Sequence, residues 1–283
     1  MIYECHGHII LDGTSYVGAV ERHKNGVNES FIRQNLRICK EYGIKFYRDG
    51  GDKHGATILA KKIACEFAID YRTPAYIIHK KGYYGGMFGR AFVSIPEYRA
   101  LVEEAKRLGA DFIKTTVSGM LDFKSGGRVT GPSMAREEIS EMITIAHGEG
   151  FAVMIHANGS DNIKRAVESG ADSIEHGYYM DIDALRMMAQ TGAVWVPTSV
   201  TVANLIGSGK YCDNMLRQID DGHKEAMQKA AGLGVPIACG SDAGAAKVLQ
   251  GTGTLDELRA LTSLGIDPAP GDRRIEEVFK RGC

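Results

Sequence analysis

Short runs of β-branched and apolar residues alternate along this chain with longer stretches of helical period. Strands are expected at 2–8, 44–48, 75–79, 111–117, 152–156, 172–175, 193–197 and 236–241. Helices are expected at 29–42, 56–70, 96–108, 133–149, 160–169, 182–190, 214–233 and 255–264. Glycine closes several of these helices, at Gly43, Gly109, Gly170 and Gly234. Strands regularly followed by helices predict an α/β fold with a parallel sheet, and the size and order suit a (β/α)8 barrel of the TIM type. A doubly wound open sheet is the other architecture this alternation allows. A glycine-rich stretch at 80–90 follows a strand, which in a barrel places it at the end where active sites are built.

Composition adds little to that frame. The 283 residues suit one large domain, 1–283, and 44% apolar residues are enough for a sizeable core. The 34 basic and 35 acidic residues nearly cancel, so nothing points to an electrostatic grip on nucleic acid or an acidic membrane surface. No apolar run approaches the ~18 residues of a membrane span, and the N-terminus shows no basic-then-apolar leader. Cysteines at 5, 39, 65, 212, 239 and 283 form no CxxC pair. They read as reduced thiols of a cytoplasmic protein.

The strand ends carry the candidate chemistry. His6 and His8 are two apart on the first strand and share a face. On the fourth strand Phe112, Lys114 and Thr116 face one way, and the β-branched and apolar set Ile113, Thr115 and Val117 the other, so Lys114 is expected to point into the barrel. Met154 and His156 share a face of the fifth strand; His176 ends the sixth and Asp242 the eighth. Carboxyl ends of barrel strands converge on one mouth, and His and Asp are ordinary ligands of zinc and similar ions. A buried lysine is costly unless paired or modified. Carboxylated by carbon dioxide, it becomes an anion able to bridge two cations. A lone strand histidine is more often structural, and a Ser-Asp-Ala-Gly turn can simply cap a helix. The coincidence of all six at strand ends argues for a site. His79 ends the third strand and is a further candidate to reach the pocket. His147 falls on a helix, while His23, His54 and His223 lack strand-end context.

The ordered set resembles the amidohydrolase superfamily, in the branch of imidazolonepropionase-like enzymes and metal-dependent dipeptidases. The resemblance runs from Gly109-Ala110-Asp111-Phe112-Ile113-Lys114 through Ile155-His156-Ala157-Asn158-Gly159, Ser173-Ile174-Glu175-His176-Gly177 and Val196-Pro197-Thr198 to Gly240-Ser241-Asp242-Ala243-Gly244. It implies that His6, His8 and Asp242 hold the more buried metal and that His156 and His176 hold a second. Lys114, carboxylated, would bridge two Zn2+ ions; unmodified, it leaves one. Asp242 would take a proton from the metal-bound water and pass it to the leaving group. Metal binding lowers the pKa of water from about 15.7 to about 7, which supplies the nucleophile.

The implied activity is hydrolysis of a C–N bond in an amide, cyclic amide or dipeptide. A lactone or ester hydrolase on the same centre, or a non-catalytic metal- or ligand-binding barrel, would use the same residues. The sequence also departs from the family. With five residues before His6 and 41 after Asp242, a barrel lacking the relatives' small β-sandwich is expected. Glu4 stands where relatives often have Asp. The 80–90 loop lacks the family's histidine-bearing glycine motif and offers Tyr83, Tyr84 and Met87 as a different rim. Tyr178, Thr198 and Arg48 are candidate substrate contacts, with Arg48 either toward a substrate carboxylate or simply paired in the neighbourhood of Asp49. Expected partners are a small-molecule substrate and, because bare barrels often pair, a second copy of the chain.

Overall fold

A computed structural model describes residues 1–280. In chain order its elements are β1 (Ile2–Gly7), α1 (Tyr16–His23), α2 (Glu29–Glu41), β2 (Ile44–Asp49), α3 (Ala56–Ile63), β3 (Asp70–Arg72), β4 (Ile77–Lys80), β5 (Gly89–Phe92), α4 (Ile95–Arg107), β6 (Ile113–Thr116), β7 (Leu121–Asp122), β8 (Arg128–Val129), α5 (Arg136–Gly148), β9 (Val153–Ala157), α6 (Ser160–Glu168), β10 (Ser173–His176), α7 (Ile182–Thr191), β11 (Val194–Val196), α8 (Val200–Ala203), α9 (Asp213–Gly232), α10 (Thr252–Ser263) and α11 (Ala269–Val278).

The strands pair in parallel as β1-β2-β3 and β11-β10-β9-β6-β4-β5, with β7 and β8 a separate antiparallel hairpin. Residues 236–243 join the two sheets. Trp195 N donates to Pro236 O, Cys5 N to Cys239 O, and Asp242 N to His6 O, at 2.9, 2.8 and 2.6 Å. The segment therefore lies between β11 and β1 and closes the ring where the first and last strands of the chain meet.

Strand alternation sorts the core into layers. Phe46, Phe112, Met154, Val194, Val196 and Ala238 pack inside the ring. Ile113, Val117, Val153, Ile155 and Ile174 pack outward under the helices. Ile275 and Phe279, from α11 and its end, join the inner cluster and seal one end of the ring.

Three expectations change. The helix expected at 56–70 ends at Ile63, passes into a 3-10 turn over Ala64–Phe67, and yields to β3 at Asp70. The third barrel strand comes in two pieces, because Ala75 sits at φ 65° and interrupts it before β4 begins at Ile77. The eighth is a bridged segment rather than a regular strand, held by an isolated pairing at Ile237 and the bonds just given. Helix α11, which packs on β1 and β11, lies beyond the last helix expected from periodicity.

Among the described residues Cys5, Cys39, Cys65, Cys212 and Cys239 are free thiols, and Cys283 lies outside the described residues. No helix among the described residues is long and apolar enough to cross a membrane.

Candidate metal centre

The first strand delivers its two histidines to the ring mouth through a tight arrangement of neighbours. A methyl group on Gly50, just after β2, would come within 2.1 Å of the His8 ring and displace it, so glycine there lets the chain pass close behind the imidazole. His6 is fully buried. Its Nδ1 donates to Glu175 Oε2 at 2.6 Å, which leaves the Nε2 lone pair facing Lys114 Nζ at 2.8 Å. A carboxylate behind an imidazole fixes the tautomer and raises the basicity of the nitrogen left to bind metal.

Glu175 is held in turn by Arg48 Nη2, at 2.9 and 3.0 Å to its two oxygens, and by the Ser173 hydroxyl at 2.5 Å. Arg48 also donates to Cys5 O and Ser173 Oγ, and stacks over the Phe279 ring with 4.4 Å to its centroid. This corrects the expectation for Arg48. It points into the ring but one layer below the mouth, fully buried, with its donors engaged by the protein and none facing a substrate.

On the first strand itself, Glu4 clips the closing segment to β1. It accepts from His6 N, Ser241 N, Ser241 Oγ and Thr254 Oγ1 at 2.5–3.1 Å. Burial pushes its carboxyl up to about 7, against these hydrogen bonds. The clip places Asp242 with Oδ1 3.5 Å from His8 Nε2 and 3.8 Å from His6 Nε2. Ligand atoms of His6, His8 and Asp242 lie within 4.8 Å of one another.

His176, Thr198 and Asp242 have φ of 67°, 49° and 59°, a region that costs a non-glycine residue about 1–3 kcal/mol. The strain has a visible effect at His176. Alternation along β10 puts Ser173 and Glu175 inside the ring; the left-handed turn swings the next side chain back over the mouth. There the His176 ring lies 4.9 Å from that of His6 and 4.6 Å from that of His156. Thr198 Oγ1 meets His176 Nδ1 at 2.8 Å, leaving Nε2 for a ligand. Thr198 is fully buried, so it orients a ring instead of touching substrate, a second correction. His156 Nε2 faces Gly119 O at 3.0 Å and leaves Nδ1 toward the mouth. Lys114 points inward from β6 as alternation requires and is buried.

Electrostatics suits a cation. Burial holds His6, His8 and His176 well below the usual imidazole range and His156 down to about 3, so all four are neutral donors. The same cause lowers Lys114 to about 8 and raises Asp242 to about 6. His8 Nδ1 is buried without a hydrogen-bond partner among the described residues. Neutral imidazoles, a carboxylate and a tautomer locked from behind are what a zinc-like ion selects, so the residues present fit such an ion.

A cavity of about 220 Å³ opens over His156, His176 and Asp242. Tyr178 lines it, its hydroxyl 3.0 Å from Thr201 Oγ1 and its ring stacked 4.0 Å from His223. Tyr84 lines it too, 4.6 Å from the His156 ring, whereas Tyr83 and Met87 do not. His79 turns away and is enclosed by the glycine loop, with Gly85 packed on its Cβ. His147 pairs with Asp172 on the outside. Sequence reasoning missed Glu175, which the inward face of β10 signals. It also missed Tyr16, Phe123, Lys210 and Tyr211, pocket residues outside the strands that no periodicity marks.

A sequence model of the amidohydrolase family matches residues 66–269, well over half of the chain. The chain belongs to the amidohydrolase family. Ochratoxinase of Aspergillus niger is 29% identical over 156 residues, which are 52% of this chain and 32% of that protein. An uncharacterized protein of Mycobacterium tuberculosis is 28% identical over 176 residues, 59% of this chain and 45% of that one. The chain thus spans less than half the length of the curated relatives it matches. Among solved structures, a Xaa-Pro dipeptidase with bound methionine superimposes with a TM-score of 0.77 at 24% identity, covering 98% of this chain and 72% of that one. The A. niger ochratoxinase structure gives 0.76 at 22%, covering 98% and 69%. At these identities the structural likeness establishes the fold, a TIM-type barrel.

Proposed function

We propose that this amidohydrolase is a metal-dependent hydrolase that cleaves a C–N bond in an amide, cyclic amide or dipeptide. The observation that carries this reading is the cluster of His6, His8 and Asp242, whose ligand atoms lie within 4.8 Å of one another at the ring mouth. Family membership and the names of the relatives, a dipeptidase and an ochratoxinase, agree with it. His6, His8 and Asp242 would hold one zinc ion and His156 and His176 a second, with carboxylated Lys114 between them. With Lys114 unmodified, one ion remains. Bound zinc supplies Lewis acidity, bringing water's pKa from about 15.7 to about 7 and polarising a carbonyl.

The chain's residues do the rest. Asp242, partly open to the cavity, accepts a proton from the attacking water and returns it to the leaving nitrogen. Glu175 keeps His6 in the tautomer that offers Nε2. Burial of Lys114 enlarges its share of free amine, the form whose nitrogen bonds to carbon dioxide with loss of a proton. The product is a carbamate anion.

The test is metal analysis and turnover of protein prepared with zinc and bicarbonate. Two equivalents of zinc are expected, falling to one in Lys114→Ala. Asp242→Asn should lose about 10²–10⁴-fold in kcat on an amide panel. A protein that binds no zinc and hydrolyses no amide sinks the reading; turnover of lactones alone moves it to C–O bonds.

A further inference from the structure

The cavity wall carries information about the substrate that the ligand set does not. Tyr16, Tyr84, Phe123, Tyr178 and Tyr211 all line it, and Phe123 and Tyr211 meet with ring centroids 5.3 Å apart. Charge is scarce. Asp242 is the sole carboxylate among the lining residues, and it belongs to the metal centre. Lys210 is the sole cation. It is exposed, it pairs with no carboxylate among the described residues, and its Nζ lies 5.3 Å from the centre of the Tyr211 ring.

A free dipeptide brings an α-ammonium group for which the lining offers no carboxylate besides Asp242, beside an ion that would repel it. A flat ring meets edges and faces of its own kind, worth about two- to tenfold in binding per contact. A carboxylate reaching the rim meets Lys210.

We infer that the pocket takes an N-blocked amide carrying an aromatic group and a terminal carboxylate, the carboxylate held by Lys210 at the rim. This rests on the hydrolase reading and narrows it. The reacting amide sits at the metal centre, the ring against the aromatic wall, and no ammonium is recognised.

The zinc-loaded protein is assayed with N-benzoylalanine, N-acetylphenylalanine, N-acetylalanine, N-benzoylalaninamide and phenylalanylalanine. At least one aromatic blocked acid should exceed N-acetylalanine about tenfold in kcat/KM, with the free dipeptide slowest. N-benzoylalanine should exceed its carboxamide about two- to fivefold, the worth of a solvent-exposed ion pair. Lys210→Met should erase that margin. Faster turnover of the free dipeptide, or a margin unchanged in Lys210→Met, overturns the inference while leaving a C–N hydrolase standing.

Calorimetric titration with N-(benzenesulfonyl)alanine and N-(methanesulfonyl)alanine, which are not cleaved, tests the pocket without turnover. Equal or weaker binding of the aromatic compound overturns the inference. Tighter, Lys210-dependent binding with no amide hydrolysed supports the pocket and rejects the reaction assigned to it.

Discussion

Arg48 and Glu175 form a fully buried ion pair, Glu175 in contact with His6. Removing one partner of such a pair strands the other charge. Arg48→Met is therefore expected to cost about 3–5 kcal/mol in urea unfolding. Glu175→Gln also frees the His6 tautomer, and chelator competition should show zinc affinity about 10–100-fold weaker. These two residues mark the limit of sequence reading at this scale. Alternation put His6, Lys114 and His156 on the face that lines the ring, because side-chain direction repeats every two residues. It does not report depth, and nothing in the sequence showed that Arg48, offered as a substrate contact, lies a layer below the mouth with its donors engaged by Cys5, Ser173 and Glu175. His176 and Asp242 were legible from their places at strand ends, not from alternation. Their left-handed backbone defeats alternation, and Thr198, misread as a substrate contact, shares that backbone and holds the His176 ring.

Helix α11 was illegible for a related reason: its role is to fill the barrel floor, and only closure of the ring creates that floor. Phe279, at its end, is fully buried against Phe112 and Arg48. Phe279→Ala should lower stability by about 3–5 kcal/mol, read by denaturant unfolding. Zinc content at native concentrations should hold. The broken third strand was hidden in the same way. Residues 56–70 have helical period, yet Ala68 and Ala75 take left-handed φ and the chain pairs in two short pieces.

A pH effect belongs at the level of elements too. Glu257 on α10 accepts from Ser199 N, Ser199 Oγ and Val200 N, and so caps α8. Burial raises its carboxyl from 4.5 to about 7. The folded state therefore holds this proton more tightly than the unfolded chain does. Wild type should gain stability relative to Glu257→Gln as pH falls from about 8 toward 4.5, and lose that advantage as pH rises through 7. Paired thermal melts at pH 5 and 8 check the sign; a gap that widens at pH 8 contradicts it.

On the scale of the whole molecule, the barrel was legible because strand and helix periods alternate plainly, and because one inward layer of polar residues sits where strands end. The substrate pocket was not, since its walls come from loops, a hairpin and the start of α1. Ring closure has a kinetic consequence. The proposed ligands His6 and His8 lie at the end of the first strand and just after it, and Asp242 in the closing segment 236–243, across the seam where Asp242 N bonds His6 O. An unfolded chain would have to close nearly its full length to bring them together, an entropic cost that non-local contacts repay only late. Zinc should thus act as a clasp fastened after assembly: its addition slows the unfolding limb of a chevron and leaves the refolding limb where it was.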